Sequence, residues 1–65
     1  MKLYELVKVS HNKNFDSEIS VNFKGFTFEF KASEFETFAG YEVLKDSEII
    51  LVRAFTDDII VVYAK

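Results

Sequence analysis

The chain has 65 residues, of which 49% are hydrophobic and 17% aromatic, and a formal net charge of −3. This apolar content excludes a disordered chain, and the length allows one domain, residues 1–65, with a small core. The acidic balance argues against direct binding to nucleic-acid phosphates. Because a small core cannot enclose every apolar side chain, the composition also predicts self-association.

The sequence predicts a soluble cytoplasmic protein with no membrane association. The chain lacks cysteine, so it has no disulfide and suits a reducing compartment. Glu5 and Lys8 interrupt the apolar N-terminal segment, which therefore lacks the hydrophobic region of a signal peptide. The longest uncharged apolar run, residues 59–64, is far shorter than the roughly 20 residues that span a bilayer.

The first predicted elements are a strand over residues 2–9 and a long loop over residues 10–17. Apolar residues fall on both alternating phases of the first segment, with Leu3 on one and Tyr4 on the other, as in a strand covered on both sides. The second segment is rich in Asn, Asp and Ser, which favour turns.

Residues 18–31 predict a β-hairpin. Apolar and polar residues alternate from Ile19 to Phe23 and again from Phe26 to Phe30, on either side of Gly25. A two-residue turn at Lys24 and Gly25 would place all the large apolar groups on one face. The predicted pairs are Phe23 with Phe26, Val21 with Phe28, Ile19 with Phe30 and Glu18 with Lys31.

A short helix is predicted over residues 34–39. Ser33 and Glu36 have the spacing of a capping box. Gly40 can adopt the left-handed conformation that ends many helices. The two phenylalanines of this segment lie three positions apart and would both point into the core.

The remainder of the chain predicts a meander of three strands over residues 41–45, 48–55 and 59–64. The strands would be joined at residues 46–47 and 57–58. Both faces of this meander are apolar. One face can cover the hairpin, and the other must meet the first strand, the helix or a second subunit.

These elements predict a mainly β fold, a small antiparallel barrel or two packed sheets of five to six strands, with the short helix between the third and fourth strands. The order of the elements resembles that of the oligonucleotide-binding barrel, and a small SH3-like barrel is also compatible. The likeness covers element order only and leaves the function open.

The sequence predicts neither an enzyme nor a cofactor or metal site. His11 is the only histidine and lies in the polar loop, where we interpret it as an exposed imidazole. Scattered carboxylates and one histidine lack metal-ligand spacing. The two glycines, Gly25 and Gly40, are too far apart for a phosphate-binding loop.

Acidic side chains form a predicted partner-binding zone. If the turn at residues 57–58, the start of the strand at 41 and the helix end lie at one end of the meander, five carboxylates gather there. This zone could hold a divalent cation, it could face a basic or nucleic-acid-binding protein, or it could simply be solvated. Its members are Glu34, Glu36, Glu42, Asp57 and Asp58.

Three aromatic residues and one arginine complete the candidate set. Phe15 either anchors the polar loop or serves as an exposed contact. Tyr41 and Tyr63 should lie near each other on one face, as core-edge residues or in a partly hydrated interface. Arg53 lies in mid-strand and needs a partner, which is either a structural ion pair with Glu42 or a bound anion.

Two functions from different classes follow. The first is a non-enzymatic protein-interaction module, a homodimeric regulator or inhibitor that occludes a partner protein. The alternative is a small β-barrel that binds a nucleotide or a short single-stranded nucleic acid by aromatic stacking and Arg53. The alternative requires Arg53 and the tyrosines to share one concave, solvent-facing pocket.

Overall fold

A computed structural model describes residues 1–65 as one mixed sheet of four strands with short helices on one face. The strand order is β2-β1-β4-β3, in which β1 and β4 are parallel and the other neighbours antiparallel. None of the helices is long and apolar enough to cross a membrane. In chain order the elements are α1 (Leu3–Lys8), β1 (Glu18–Phe23), β2 (Phe26–Lys31), a 3₁₀ helix (Ala32–Thr37), α2 (Tyr41–Leu44), β3 (Ile49–Phe55) and β4 (Ile59–Ala64).

The mainly β class is confirmed, but the number and arrangement of the strands differ from the prediction. The structure has a single sheet of four strands, where five to six strands in a barrel or two sheets were predicted. Two predicted strands are helices, and this leaves too few strands to close a barrel. The parallel pairing of β1 with β4 joins segments far apart in sequence, which local alternation cannot indicate.

The β1–β2 hairpin has the predicted register. Glu18 pairs with Lys31, and Phe23 pairs with Phe26, so the apolar residues of both strands share one face. Lys24 has φ 52° and Gly25 has φ 85°. Positive φ at both central residues is what a type I′ turn requires, and such a turn matches the twist of the two strands.

The predicted N-terminal strand is wrong, because this segment forms α1. Leu3, Leu6 and Val7 are buried, and their i, i+3, i+4 spacing is that of a helix face directed at the core. The buried Ser10 hydroxyl then donates a 2.6 Å hydrogen bond to the Leu6 carbonyl oxygen just after the helix. The apolar residues that fall on both alternating phases of the predicted strand therefore follow the repeat of a helix.

The predicted helix at 34–39 is a 3₁₀ helix that starts two residues earlier. Ser33 does not form the expected capping box, since its hydroxyl and its backbone amide both donate to the Asp16 carboxylate. Gly40 has φ −88° and so does not adopt the left-handed conformation. Phe35 is buried as predicted, whereas Phe38 is only half-buried.

The predicted strand over residues 41–45 is also wrong, because Tyr41–Leu44 forms α2. Only β3 and β4 of the predicted meander remain, and they pair through the expected turn at residues 57–58. The core lies between the sheet and the helices, and aromatic rings pack at its α2 end. Its buried apolar residues are Leu3, Leu6, Val7, Ile19, Val21, Phe30, Ala32, Phe35, Leu44, Ile60, Val62 and Ala64.

Candidate interaction surface

β3 is an edge strand that leaves large apolar side chains in contact with solvent. It pairs with β4 along one edge, and its other edge has no partner strand, although the Ile49 amide at its start donates to the Met1 carbonyl oxygen at 2.9 Å. Exposed fractions reach 58% for Ile50 and 57% for Phe55. An unpaired, apolar edge strand is a template for binding another chain. We call this region the β3 surface and define it as Ile50, Leu51, Val52, Phe55 and Ile59.

The β3 surface includes both faces of the strand. Val52 pairs with the buried Val62 and so lies on the core-facing side, yet it is 44% exposed. Phe55 lies on the same side, which shows that the helices leave this end of the core face open. Leu51 pairs with Tyr63 on the opposite side of the sheet. A partner could therefore contact the edge of β3 and the side chains on either side of it.

Two irregularities interrupt the pairing of β3 with β4. They fall between Ile49 and Leu51 and between Val52 and Ala54, so one extra residue lies at each position. Bulges bend and twist an edge strand, and a charged side chain on the edge has a similar protective effect. Both features favour a limited contact over open-ended aggregation.

The two ends of β3 have opposite charge. At its start the Met1 amino group donates to the Glu48 carboxylate at 2.6 Å and lowers the pKa of Glu48, and the charges of Lys2 and Lys65 lower this pKa further. The two lysines therefore lie close to this end of the strand. At its other end Asp57 and Asp58 occupy the exposed turn to β4, and no salt bridge includes them.

Arg53 is exposed on β3 and takes part in no salt bridge. The predicted ion pair with Glu42 is wrong, because Glu42 lies in α2 and binds Lys45 at 2.8 Å. This pairing raises the pKa of Lys45. Arg53 is thus a free cation in the middle of an apolar strand.

The structure brings part of the predicted acidic zone together, while Glu42 pairs with Lys45 in α2. The turn with Asp57 and Asp58 and the start of the 3₁₀ helix with Glu34 do share one end of the molecule. The Ser17 hydroxyl donates to the Asp57 carbonyl at 2.9 Å, while the Ala32 amide donates to the Ser17 carbonyl at 2.9 Å. No group of three or more His, Asp and Glu side chains could hold a metal ion.

The predicted aromatic contacts lie in three different places. Phe15 is half-buried in the polar loop. Tyr41 is half-buried on the helical side of the sheet, edge-on to Phe35 with 4.9 Å between the ring centroids. Tyr63 alternates with the buried residues Val62 and Ala64 and so points to the opposite side. The predicted proximity of the two tyrosines is therefore wrong, because Tyr41 belongs to a helix.

One cavity of about 260 Å³ opens between α1, the 3₁₀ helix and α2. Sequence reasoning missed it because α1 and α2 were predicted as strands. Part of the signal was present, since Tyr4 and Lys8 have the i, i+4 spacing of one helix face, whereas His11 follows the end of α1. The cavity is lined by Tyr4, Val7, Lys8, His11, Ala32, Ser33, Phe35, Glu36 and Tyr41.

Comparison with known proteins gave no match: no protein-family model, curated protein or solved structure is similar to this chain.

Proposed function

We propose that this chain is a non-enzymatic protein-interaction module, a homodimer formed through the β3 surface that acts by occluding a partner protein. The observation that supports this most directly is the unpaired edge strand β3 with its exposed apolar side chains. Removing apolar surface from water contributes about 25 cal/mol per Å² to assembly, before the entropy cost of association is subtracted. A second copy offers the same surface, so a two-fold arrangement buries both at once.

In the proposed dimer, β3 pairs antiparallel with β3 of a second copy. Overlap of Ile50–Ala54 with itself places the two-fold axis at Val52 and leaves the Ile49 amide bonded to the Met1 carbonyl oxygen. Arg53 then lies opposite Leu51 and not opposite the second Arg53, so the two cations are not directly paired. The remaining cross-strand pair is Ile50 with Ala54.

The charges at the ends of β3 favour this antiparallel arrangement. It brings Lys2 and Lys65 of one copy toward Asp57 and Asp58 of the other, whereas a parallel arrangement would bring like charges together. Attraction between exposed charges weakens as salt is added. The dimer should therefore dissociate more readily at high ionic strength.

The solution mass, measured by light scattering over a dilution series, tests self-association. We expect the mass of a dimer for the wild-type chain and the mass of a monomer for Val52→Lys, which places a charge at the axis. Val43→Lys is the matched control, because Val43 is also an exposed valine but lies in α2. A wild-type monomer at every concentration would refute the dimer.

A cysteine substitution tests the geometry separately. The chain has no cysteine, so Val52→Cys can form a disulfide only with a second copy. Directly opposed residues of antiparallel strands have Cα atoms about 4.5–5.5 Å apart, within disulfide range. We expect rapid cross-linking of Val52→Cys and slow cross-linking of Val43→Cys. Equal rates in a protein that is dimeric by mass would show that a different surface forms the dimer.

Charge reversal tests the proposed polarity of the contact. Asp57→Lys together with Asp58→Lys should weaken the dimer, and adding Lys2→Glu and Lys65→Glu should restore it. Failure of the second pair to rescue the first would reject the antiparallel placement while leaving the apolar contact in place.

Within the predicted acidic zone, the unpaired carboxylates that this dimer leaves free for a target are Glu34 and Glu36, both exposed on the 3₁₀ helix. With a net charge of −3, a basic or nucleic-acid-binding protein in the cytoplasm is the target class that we propose. Binding of such a protein to the immobilised chain should be lost in the double variant Glu34→Lys/Glu36→Lys and kept in the control variant Glu29→Lys. Equal retention by all three chains would reject this role of the acidic groups.

No observation favours the alternative of a nucleotide-binding or nucleic-acid-binding barrel. That hypothesis required Arg53 and the tyrosines to line one concave pocket. The cavity includes Tyr4 and Tyr41 but neither Arg53 nor Tyr63.

A further inference from the structure

The cavity between the helices is separate from the β3 surface, since no residue of β3 or β4 lines it. Its volume of about 260 Å³ exceeds the roughly 150 Å³ in which a buried apolar cavity holds benzene. It lies near the lower limit of about 300 Å³ for pockets that bind small molecules. The space suits a single ring with a short polar substituent.

The inner wall of the cavity is apolar and aromatic. Val7, Ala32 and Phe35 are buried beneath it. Tyr41 stands edge-on to Phe35 at an interplanar angle of 76°, and Tyr4 lines the cavity from α1. Aromatic rings favour such offset and edge-to-face neighbours. A ligand ring placed here would therefore contact rings of this chain.

The rim of the cavity has two opposite charges that do not neutralise each other. Lys8 and Glu36 both line the cavity, yet they form no salt bridge within 4.0 Å. Neither side chain takes part in any hydrogen bond of this chain, and nor does that of His11. Charged groups left free around an apolar floor can bind the charged ends of a ligand.

The polar loop is held against the rim by a separate contact. Asp16 accepts hydrogen bonds from the Ser33 amide and hydroxyl, and it forms a β-bridge with His11. These contacts fix Ser33 and His11 beside the cavity entrance. This part of the rim is therefore organised before any ligand binds, which lowers the entropy loss on binding.

We infer that this cavity binds a free amino acid with a single-ring aromatic side chain. The ring would lie on Phe35, the carboxylate would face Lys8 and the ammonium group would face Glu36. Both charge signs at the rim favour a zwitterion over a simple acid or amine. This site goes beyond the proposed dimer and does not depend on it.

Titration of the full-length chain with L-phenylalanine, followed by amide NMR shifts, tests the inference. A ligand this small should bind with a Kd on the order of 1 mM. We expect shifts confined to residues 4–11, 32–36 and 41. We also expect binding about tenfold weaker for 3-phenylpropionate, which lacks the ammonium group, and for 2-phenylethylamine, which lacks the carboxylate. The absence of shifts, or shifts centred on β3, would overturn the assignment of the cavity as the binding site.

Matched variants test the roles of the two charges. Lys8→Met and Glu36→Gln should each weaken L-phenylalanine binding about tenfold, whereas Lys13→Met and Glu34→Gln should not change it. Neither control residue lines the cavity. Equal binding of L-phenylalanine and 3-phenylpropionate, together with unchanged L-phenylalanine binding by Glu36→Gln, would overturn the inference that the ligand is a zwitterion. Dimerisation should be the same in all four variants.

Discussion

The buried Ser17 hydroxyl donates a 2.9 Å hydrogen bond to the carbonyl oxygen of Asp57, 40 residues further along the chain. The Ser17 amide donates to Ser10, and the Ser17 carbonyl accepts from the Ala32 amide. One small residue thus connects the polar loop, the β3–β4 turn and the start of the 3₁₀ helix. This junction positions the acidic end of β3.

Ser17→Ala should destabilise the fold by about 1–2 kcal/mol, because it removes a buried donor from the turn carbonyls. Urea unfolding at one fixed protein concentration measures the loss, since dimer formation makes the stability depend on concentration. Ser20→Ala is the control, as Ser20 is half-buried in β1 and its hydroxyl forms no hydrogen bond with this chain. Equal midpoints for the two variants would contradict this role of Ser17.

Gly25→Ala should cost about 1–2 kcal/mol through backbone strain alone. Gly25 has φ 85°, and an added Cβ atom would meet nothing within 4 Å, so crowding does not contribute. A synthetic chain with D-alanine in place of Gly25 is the control, because a D-residue adopts positive φ without this strain. If both chains lost stability equally in urea, the conformation of Gly25 would not be the cause.

The ionised Asp16 side chain should stabilise the fold above its unfolded-state pKa and lose this effect in acid. Hydrogen bonds from the Ser33 hydroxyl and amide lower the pKa of Asp16 below its ordinary value of 3.8. The contribution is therefore complete at neutral pH and disappears as the pH falls through the lowered folded-state pKa.

Urea midpoints at pH 7 and at pH 2 measure this dependence. Asp16→Asn should have a lower midpoint than the wild type at pH 7, and the difference should shrink at pH 2. Asp46→Asn is the control, because the exposed Asp46 side chain accepts no hydrogen bond from this chain. A difference for Asp16→Asn that does not change with pH would contradict the assignment.

Phe35→Leu should destabilise the fold by about 1–3 kcal/mol, because the new side chain alters both shape and aromatic contacts at a buried site. Phe35 stacks on Phe30 at 4.7 Å and meets Tyr41 edge-on. Phe26→Leu, at a residue that is 69% exposed, should change the stability by less than about 0.5 kcal/mol. Similar midpoints for the two variants would show that the aromatic cluster contributes little.

The sequence by itself determined the β1–β2 hairpin with its register and the fact that β3 pairs with β4, but not the two bulges that set the register of this second pair. In the hairpin, strict alternation and one glycine leave only one register that places Ile19, Val21 and Phe30 on a common face. The turn at Asp57 and Asp58 likewise follows from local residue preferences. These features depend on residues close together in the chain, and local pattern describes them well.

Only the tertiary structure decided the two short helices, the edge position of β3 and the cavity. Leu3, Leu6 and Val7 fit both a strand and a helix, and packing against the sheet selected the helix. β3 became an edge strand because β1 occupies the other side of β4 in a parallel pair. That pairing joins segments about 40 residues apart, and no local pattern specifies which strand will lie beside which.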